Sequence, residues 1–241
     1  MAYDGSDYCG WQIQPNEKTV QQVLEHALST LLKTEIAVSG AGRTDTGVHA
    51  SHFVAHFDHI SPGTFLPSSE QFLFKLNRFL PADIVVYNIA SVAADMHARF
   101  SAIYRTYQYH ISSIKPLYRR NYSHYVYGEL DTEAIDGCCK VIMETSDFTS
   151  FAKLHTDVHT NICNVKHAKW KNVEQGYLFE ITADRFLRNM VRSITGTLLD
   201  VGRAKLDLEG FKKIVEAKDR SKAGSSAPAK GLFLTDIGYP K

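Results

Sequence analysis

Arg43 and Asp45 stand two residues apart, with Thr44 between them, in the stretch Gly42-Arg43-Thr44-Asp45-Thr46-Gly47-Val48-His49-Ala50. A carboxylate acts as a nucleophile or a general base, and a guanidinium recognises phosphate or another carboxylate. Either role needs a side chain held in one orientation, which a loop anchored at both ends supplies. The apolar run Ile36-Ala37-Val38-Ser39 enters the stretch, and the alternating run His52-Phe53-Val54-Ala55-His56-Phe57 leaves it. Both runs predict strands, so a sheet should hold the loop at each end. The same pattern also fits a plain turn, with Asp45 bonding its own backbone and Arg43 a solvated charge.

Two further candidates come from distant segments. Tyr107 lies in the alternating run Tyr104 to Ser112, which sets Arg105, Tyr107, Tyr109 and Ile111 on one face and Thr106, Gln108 and His110 on the other. It is either a core aromatic or a ring facing a cleft. Arg192 follows Val191 in a helix expected from about Phe186 to Val201. An arginine beside an apolar stripe either snorkels to water or pairs with a carboxylate, here Asp45. Separate origins suit an active site built between two parts of a chain. His49, His52, His56 and His59 form a fourth group, but strand alternation sends His52 and His56 one way and His49 and His59 the other. No metal is therefore expected there.

The elements that position these residues are legible in outline. Thr19-Val20-Gln21-Gln22 predicts a helix start, followed by Val20, Val23, Leu24, Ala27, Leu28, Leu31 and Leu32 at helical spacing. Trp11 is the one large apolar anchor before it. Pro62, Gly63 and Pro67 mark a loop, and Ser68 is placed to cap a second helix burying Phe72, Leu73, Leu76 and Phe79. Ile84 to Ile89 predicts a strand. Asp131 caps a third helix facing Ile135, Cys138, Cys139, Ile142 and Met143 inward. His167 to Lys171 and Tyr177 to Ala183 predict paired strands, Leu208 to Val215 a short helix, Gly224 to Pro228 a mobile loop and Leu232 to Ile237 a last strand. This mixture predicts an α+β fold with halves 1–100 and 101–241.

Composition narrows the class. At 241 residues, 44% apolar and 22% charged, the chain is an ordinary globular one, with no apolar run long enough to span a membrane. It lacks a signal-peptide layout, and its four cysteines lack paired spacing, so a reducing cytoplasmic setting is expected. A net charge of +1 leaves nucleic-acid binding open. Local basic clusters would have to supply it: Arg119-Arg120, Lys166 with Lys169 and Lys171, Arg185 with Arg188 and Arg192, and Lys212-Lys213.

The nine residues from Gly42 to Ala50 resemble the signature of the TruA family of tRNA pseudouridine synthases. Tyr3-Asp4-Gly5 with Gly10-Trp11-Gln12-Ile13-Gln14-Pro15 resembles its opening, and His97-Ala98-Arg99-Phe100-Ser101-Ala102 with Arg105-Thr106-Tyr107 its middle motif. Asn189-Met190-Val191-Arg192 and Lys230-Gly231-Leu232 resemble its last two. Family members carry more strand residues before the first motif, so the first strand is expected to be short or clipped. The resemblance implies two similar halves, with mixed or antiparallel sheets flanked by helices, around a central basic cleft. It implies isomerisation of uridine to pseudouridine in the anticodon stem-loop of tRNA by a homodimer, without cofactor or metal. Asp45 would be the catalytic residue, Arg43 would fill the place of the flipped base, Tyr107 would stack on that base and Arg192 would partner Asp45. Two alternatives keep part of this: the same chemistry at another RNA site, or an RNA-binding or folding module whose aspartate is structural.

Overall fold

The computed structural model describes residues 1–59, 69–153 and 160–240. The expected loop residues Pro62, Gly63 and Pro67, and the expected cap Ser68, lie outside them. The chain forms two compact units, Met1–Ile103 with Leu234–Lys241, and Tyr104–Phe233. Chain order alone put everything after residue 100 in one half, whereas the segment from Leu234 onward packs with the first unit.

The first unit contains β1 (Ala2–Tyr3), α1 (Val20–Leu32), β2 (Ser39–Gly40), β3 (His49–Ala50), β4 (Ala55–His56), α2 (Glu70–Phe79) and β5 (Ile84–Val85). β1 lies between β3 and β5, antiparallel to both, with Tyr3 opposite Ala50 and Ala2 opposite Val85. β2 and β4 form a separate antiparallel pair. These strands are shorter than the apolar runs predicted. The run after the signature bends at Ser51 and His52, and Phe53 beyond them is fully buried with its ring centroid 4.2 Å from Trp11 and 5.4 Å from Tyr3. Packing one aromatic into the core takes precedence over continuing the ladder.

Thr19 caps α1, its hydroxyl accepting from the Gln22 amide, and Val20, Leu24, Ala27 and Leu28 are buried beneath the helix. Ser69, one residue beyond the expected cap, accepts from the Phe72 amide to start α2. α2 buries Phe72 and Leu76, while Phe79 stays largely exposed against the His26 ring.

The second unit contains β6 (Tyr104–Ser112), β7 (His124–Tyr125), α3 (Thr132–Glu144), β8 (Val165–Val173), β9 (Gly176–Ala183), α4 (Met190–Gly202) and α5 (Leu208–Ala217). The chain then enters β10 (Leu232–Gly238), whose later residues belong to the first unit. β9 runs antiparallel between β6 and β8, whereas β7 lies parallel to β6, so the sheet is mixed and the class α+β. Tyr109, Ile111, Phe179, Ile181, Ala168 and Trp170 are buried, while the alternate residues stay partly open, as a period of two requires.

Asp131 caps α3 through the Ala134 amide. The helix buries Ile135, Cys138, Cys139 and Ile142, but Met143 is exposed, contrary to the spacing argument. Cys138 and Cys139 are free thiols, pushed up to about 11 and about 12 by burial. α4 begins four residues later than expected, because Asn189 takes a left-handed backbone at φ 66° that no helix continues through. Among the described residues, no helix is long and apolar enough to cross a membrane.

Candidate active site

The Gly42–Ala50 loop is held from both ends and from below. At its start β2 pairs with β4, and the Ala41 amide donates to the Val54 carbonyl at 2.8 Å. At its end β3 pairs with β1. Inside the loop the Val48 amide donates to the Asp45 carbonyl at 3.1 Å, closing a four-residue turn with Gly47 at φ 75° in its third position. A positive φ there is what a type II turn demands, which explains a glycine at 47. Asp45 therefore sits at the first position of a closed turn, half-buried, while Arg43 is exposed and Thr44 between them is buried. Thr44 faces the core.

The opening segment of the chain forms the underside of this loop. Trp11 donates its amide to the Thr44 carbonyl at 3.2 Å, and the Gly47 amide donates to the Tyr8 carbonyl at 3.2 Å. The Tyr3 hydroxyl and the Thr44 hydroxyl share a hydrogen bond at 2.9 Å. Gly5 and Gly10 permit the approach: a Cβ at Gly5 would lie 2.0 Å from the Val48 carbonyl oxygen, and one at Gly10 2.4 Å from that of Thr44. His49 is buried, and its Nδ1 accepts from the Gly5 amide at 3.0 Å. The same nitrogen lies 3.0 Å from Asp4 Oδ1. Nδ1 accepts from Gly5 only when it carries no hydrogen and donates to Asp4 only when it carries one, so the two contacts are alternatives. These positioning residues were missed as such in the sequence. The glycines were visible there, but their partners lie some forty residues away.

Tyr107 and Arg192 belong to the second unit. Tyr107 is on β6 opposite Ile181, half-buried, with its ring edge-on to Phe186 at 5.0 Å. Arg192 is in the first turn of α4, where its Nε donates to the Ala227 carbonyl at 2.8 Å. It is partly buried, and this bond ties its side chain to the fold. Tyr109, two residues after Tyr107, is fully buried and donates its hydroxyl to the Pro228 carbonyl at 2.7 Å. Burial holds that hydroxyl well above the usual tyrosine range, against a smaller opposing pull from the Arg192 charge.

Two of the basic clusters are partly neutralised. Lys171 pairs with Glu180 at 2.8 Å, and Lys212 pairs with Glu209 at 2.7 Å. Arg119, Arg120, Lys166, Lys169 and Arg188 are exposed. Of the histidines of this region, His49 and His56 serve the backbone: His56 Nδ1 accepts from the Ala98 amide at 3.2 Å, and its ring meets His97 edge-on at 4.5 Å. Burial, with the neighbouring His97 charge, lowers His56 below the usual histidine range. Among the described residues no three His, Cys, Asp or Glu side chains converge as a metal site.

The sequence matches the tRNA pseudouridine synthase family over residues 1–101 and 145–240. It is 52% identical to tRNA pseudouridine synthase A of Bacteroides thetaiotaomicron, over 100% of this chain and 89% of that protein. The corresponding protein of Parabacteroides distasonis is 50% identical over 100% of this chain and 94% of its own length. That of Caldicellulosiruptor bescii is 40% identical over 99% and 97%. A turn-locked aspartate loop, its clasp of opening residues and end-to-end similarity at these levels lead to one assignment: the chain belongs to the tRNA pseudouridine synthase family.

Proposed function

We propose that this protein isomerises uridine to pseudouridine in the anticodon arm of tRNA, with Asp45 as the carboxylate that acts on the target nucleotide. The observation that carries the reading is the closed Asp45–Val48 turn, which fixes a half-buried carboxylate within a loop clasped by residues 3–11. In the reaction the bond from N1 to C1′ breaks, the base turns, and C5 bonds to C1′. The C5 proton leaves to water and N1 gains one, so atoms balance with no oxidant, reductant or imported group. One carboxylate suffices, by adding to the nucleotide or by taking a proton.

A base inside a stem must leave its stack before chemistry, which costs a few kcal/mol. In this reading exposed Arg43 takes the vacated place, Tyr107 stacks on the displaced ring, and Arg192 addresses Asp45. Exposed cations such as Arg119, Arg120, Lys166, Lys169 and Arg188 hold the phosphate backbone without reading sequence. The protein acts in the cytoplasm as a homodimer, which lets a chain of net charge +1 gather two sets of basic clusters along one RNA.

The test is tritium release from tRNA labelled at uridine C5, since that hydrogen is lost only when C5 joins the sugar. The parent should release tritium, and Asp45→Asn should not, while tRNA affinity stays within about threefold because phosphate contacts dominate binding. Absence of release by the parent on any tRNA would leave only an RNA-binding role. Turnover by the Asp45→Asn variant within about tenfold of the parent would take Asp45 out of the chemical step.

A further inference from the structure

Residues 223–228 follow α5, and the small, polar composition of Gly224 to Pro228 predicts a mobile loop. They are laid along α4, bonded to the helix at Gly224 and Ala227 and to its N-cap Asn189 at Ser226. The Gly224 amide donates to Thr197 Oγ1 at 3.0 Å. Ser226 Oγ accepts from Asn189 Nδ2 at 2.6 Å and from Arg220 Nη2 at 3.0 Å. Arg220 Nη1 also reaches the carbonyls of Ala223 and Gly224. The Ala227 amide donates to the Arg192 carbonyl at 2.9 Å, and Arg192 Nε returns a bond to the Ala227 carbonyl at 2.8 Å. The Pro228 carbonyl accepts from buried Tyr109.

The helix carries a notch for this segment. Gly196 is one turn after Arg192, on the same helix face. A Cβ at 196 would lie 1.8 Å from the Ser225 carbonyl oxygen. With any side chain there, the segment would have to rise off α4, and the Ala227 carbonyl would withdraw from Arg192. A glycine inside a helix costs about 1 kcal/mol relative to alanine, so its position here reflects a demand for close approach.

The consequence for Arg192 is directional. A guanidinium meets a carboxylate or phosphate either sideways, through Nε and one Nη, or end-on, through both Nη atoms. Nε is committed to Ala227. The edge that Arg192 can turn to a bidentate partner is therefore the Nη1/Nη2 end. We infer that residues 223–228 form a strap that holds the Arg192 guanidinium by its Nε and sets its Nη1/Nη2 end as the edge that meets a carboxylate or phosphate, with Gly196 and Ser226 as positioning residues. This rests on the reading that Arg192 acts at the site.

The experiment is a double-mutant cycle on kcat at saturating tRNA, using tritium release. Ser226→Ala removes the shared acceptor of Asn189 and Arg220 with little change of volume, and should lower kcat about tenfold with KM nearly unchanged. Ser226→Thr keeps the oxygen and should restore most of the rate. Gly196→Ala should cost more than Ser226→Ala, and Ser226→Ala carries the test if the Gly196 variant fails to fold. In an Arg192→Lys background there is no Nε to orient, so adding Ser226→Ala should change kcat by less than about twofold. An equal loss from Ser226→Ala in both backgrounds would overturn the strap and leave a general packing role. A parental kcat in Arg192→Lys alone would instead defeat the reading of Arg192, and the strap with it.

Discussion

The carbonyl oxygen of Thr44 fills the space in which Gly10 would carry a side chain, 2.4 Å from where a Cβ would stand. Gly10 is also at φ 83°, so both space and backbone conformation exclude any other residue. Asp45 is the next residue after Thr44, and its carbonyl carbon would lie 3.1 Å from the same Cβ. The Gly42–Ala50 loop is thus seated on a backbone-to-backbone contact that only glycine permits, and an error at position 10 is passed directly to position 45.

Gly10→Ala should therefore damage turnover more than binding. Strain at a positive φ and the clash together should cost about 1–3 kcal/mol of stability. A displacement of the loop by a fraction of an ångström should lower kcat at least about tenfold, with tRNA affinity within about threefold. Melting temperature, kcat and a filter-binding Kd are the measurements. A variant with lowered stability but parental kcat would show that the loop tolerates the shift.

How much of this was legible in the sequence depends on the distance over which each interaction acts. The caps at Thr19 and Asp131 were readable because their bonds span three residues. The alternation of Tyr104 to Ser112 was readable because burial follows a period of two. Asp45 and Arg43 stood out through their glycine-flanked loop and the family resemblance. The clasp on the loop was not legible: Tyr3 to Thr44 and Gly5 to His49 join residues some forty positions apart, and no local pattern encodes them. Gly224 to Pro228 is a loop, as expected, but its course along α4 was not legible for a related reason. Small polar residues do suit a loop, but they also suit a strand of backbone that must lie flat on a helix, and the Gly196 notch that decides between these is nearly thirty residues earlier.

His49 offers a test of the clasp through chemistry rather than volume. Its Nδ1 takes the Gly5 amide, and a buried amide left without an acceptor costs about 1–3 kcal/mol. Asparagine can place its Oδ1 near the position of Nδ1, whereas leucine cannot. His49→Asn should keep most of the stability and rate, and His49→Leu should lose both. Equal behaviour of the two variants in thermal melts would show that ring packing, not the acceptor, is what His49 supplies.

Arg43→Ala separates a place-holder from a plain charge. Arg43 is exposed and two residues before Asp45 on the closed loop. If it fills the gap left by the displaced base, its loss should slow turnover on a stem-paired uridine at least about tenfold more than on an unstructured oligonucleotide, which has no stack to open. Matching losses on both substrates would reduce Arg43 to a phosphate contact, and the salt dependence of Kd should then fall with it.

The last prediction concerns acid stability, and it turns on the partly open face of the second unit's sheet. Glu180 accepts from Lys171 Nζ at 2.8 Å and from Gln108 Nε2 at 2.7 Å, and His167 Nε2 lies 3.2 Å away. The Lys171 hydrogen bond, helped by Gln108 and the charges of Lys171 and His167, holds the Glu180 carboxyl below the usual carboxylate range against an opposing desolvation cost. A carboxylate lowered in the folded state stabilises fully above its unfolded value, near 4.5 here, and that stabilisation fades as pH falls through the folded value. Glu180→Gln keeps the size and one acceptor but removes the charge. The parent should exceed the variant by about 1 kcal/mol at pH 7, roughly 2–4 °C in Tm for a chain of this length. The gap should close progressively below about pH 4.5, because protonated Glu180 and glutamine are then nearly equivalent. Thermal melts of both proteins from pH 3 to pH 8 read this directly. A gap that stays constant across that range would mean that Glu180 contributes through packing alone, and its ion pair with Lys171 would carry no net stability.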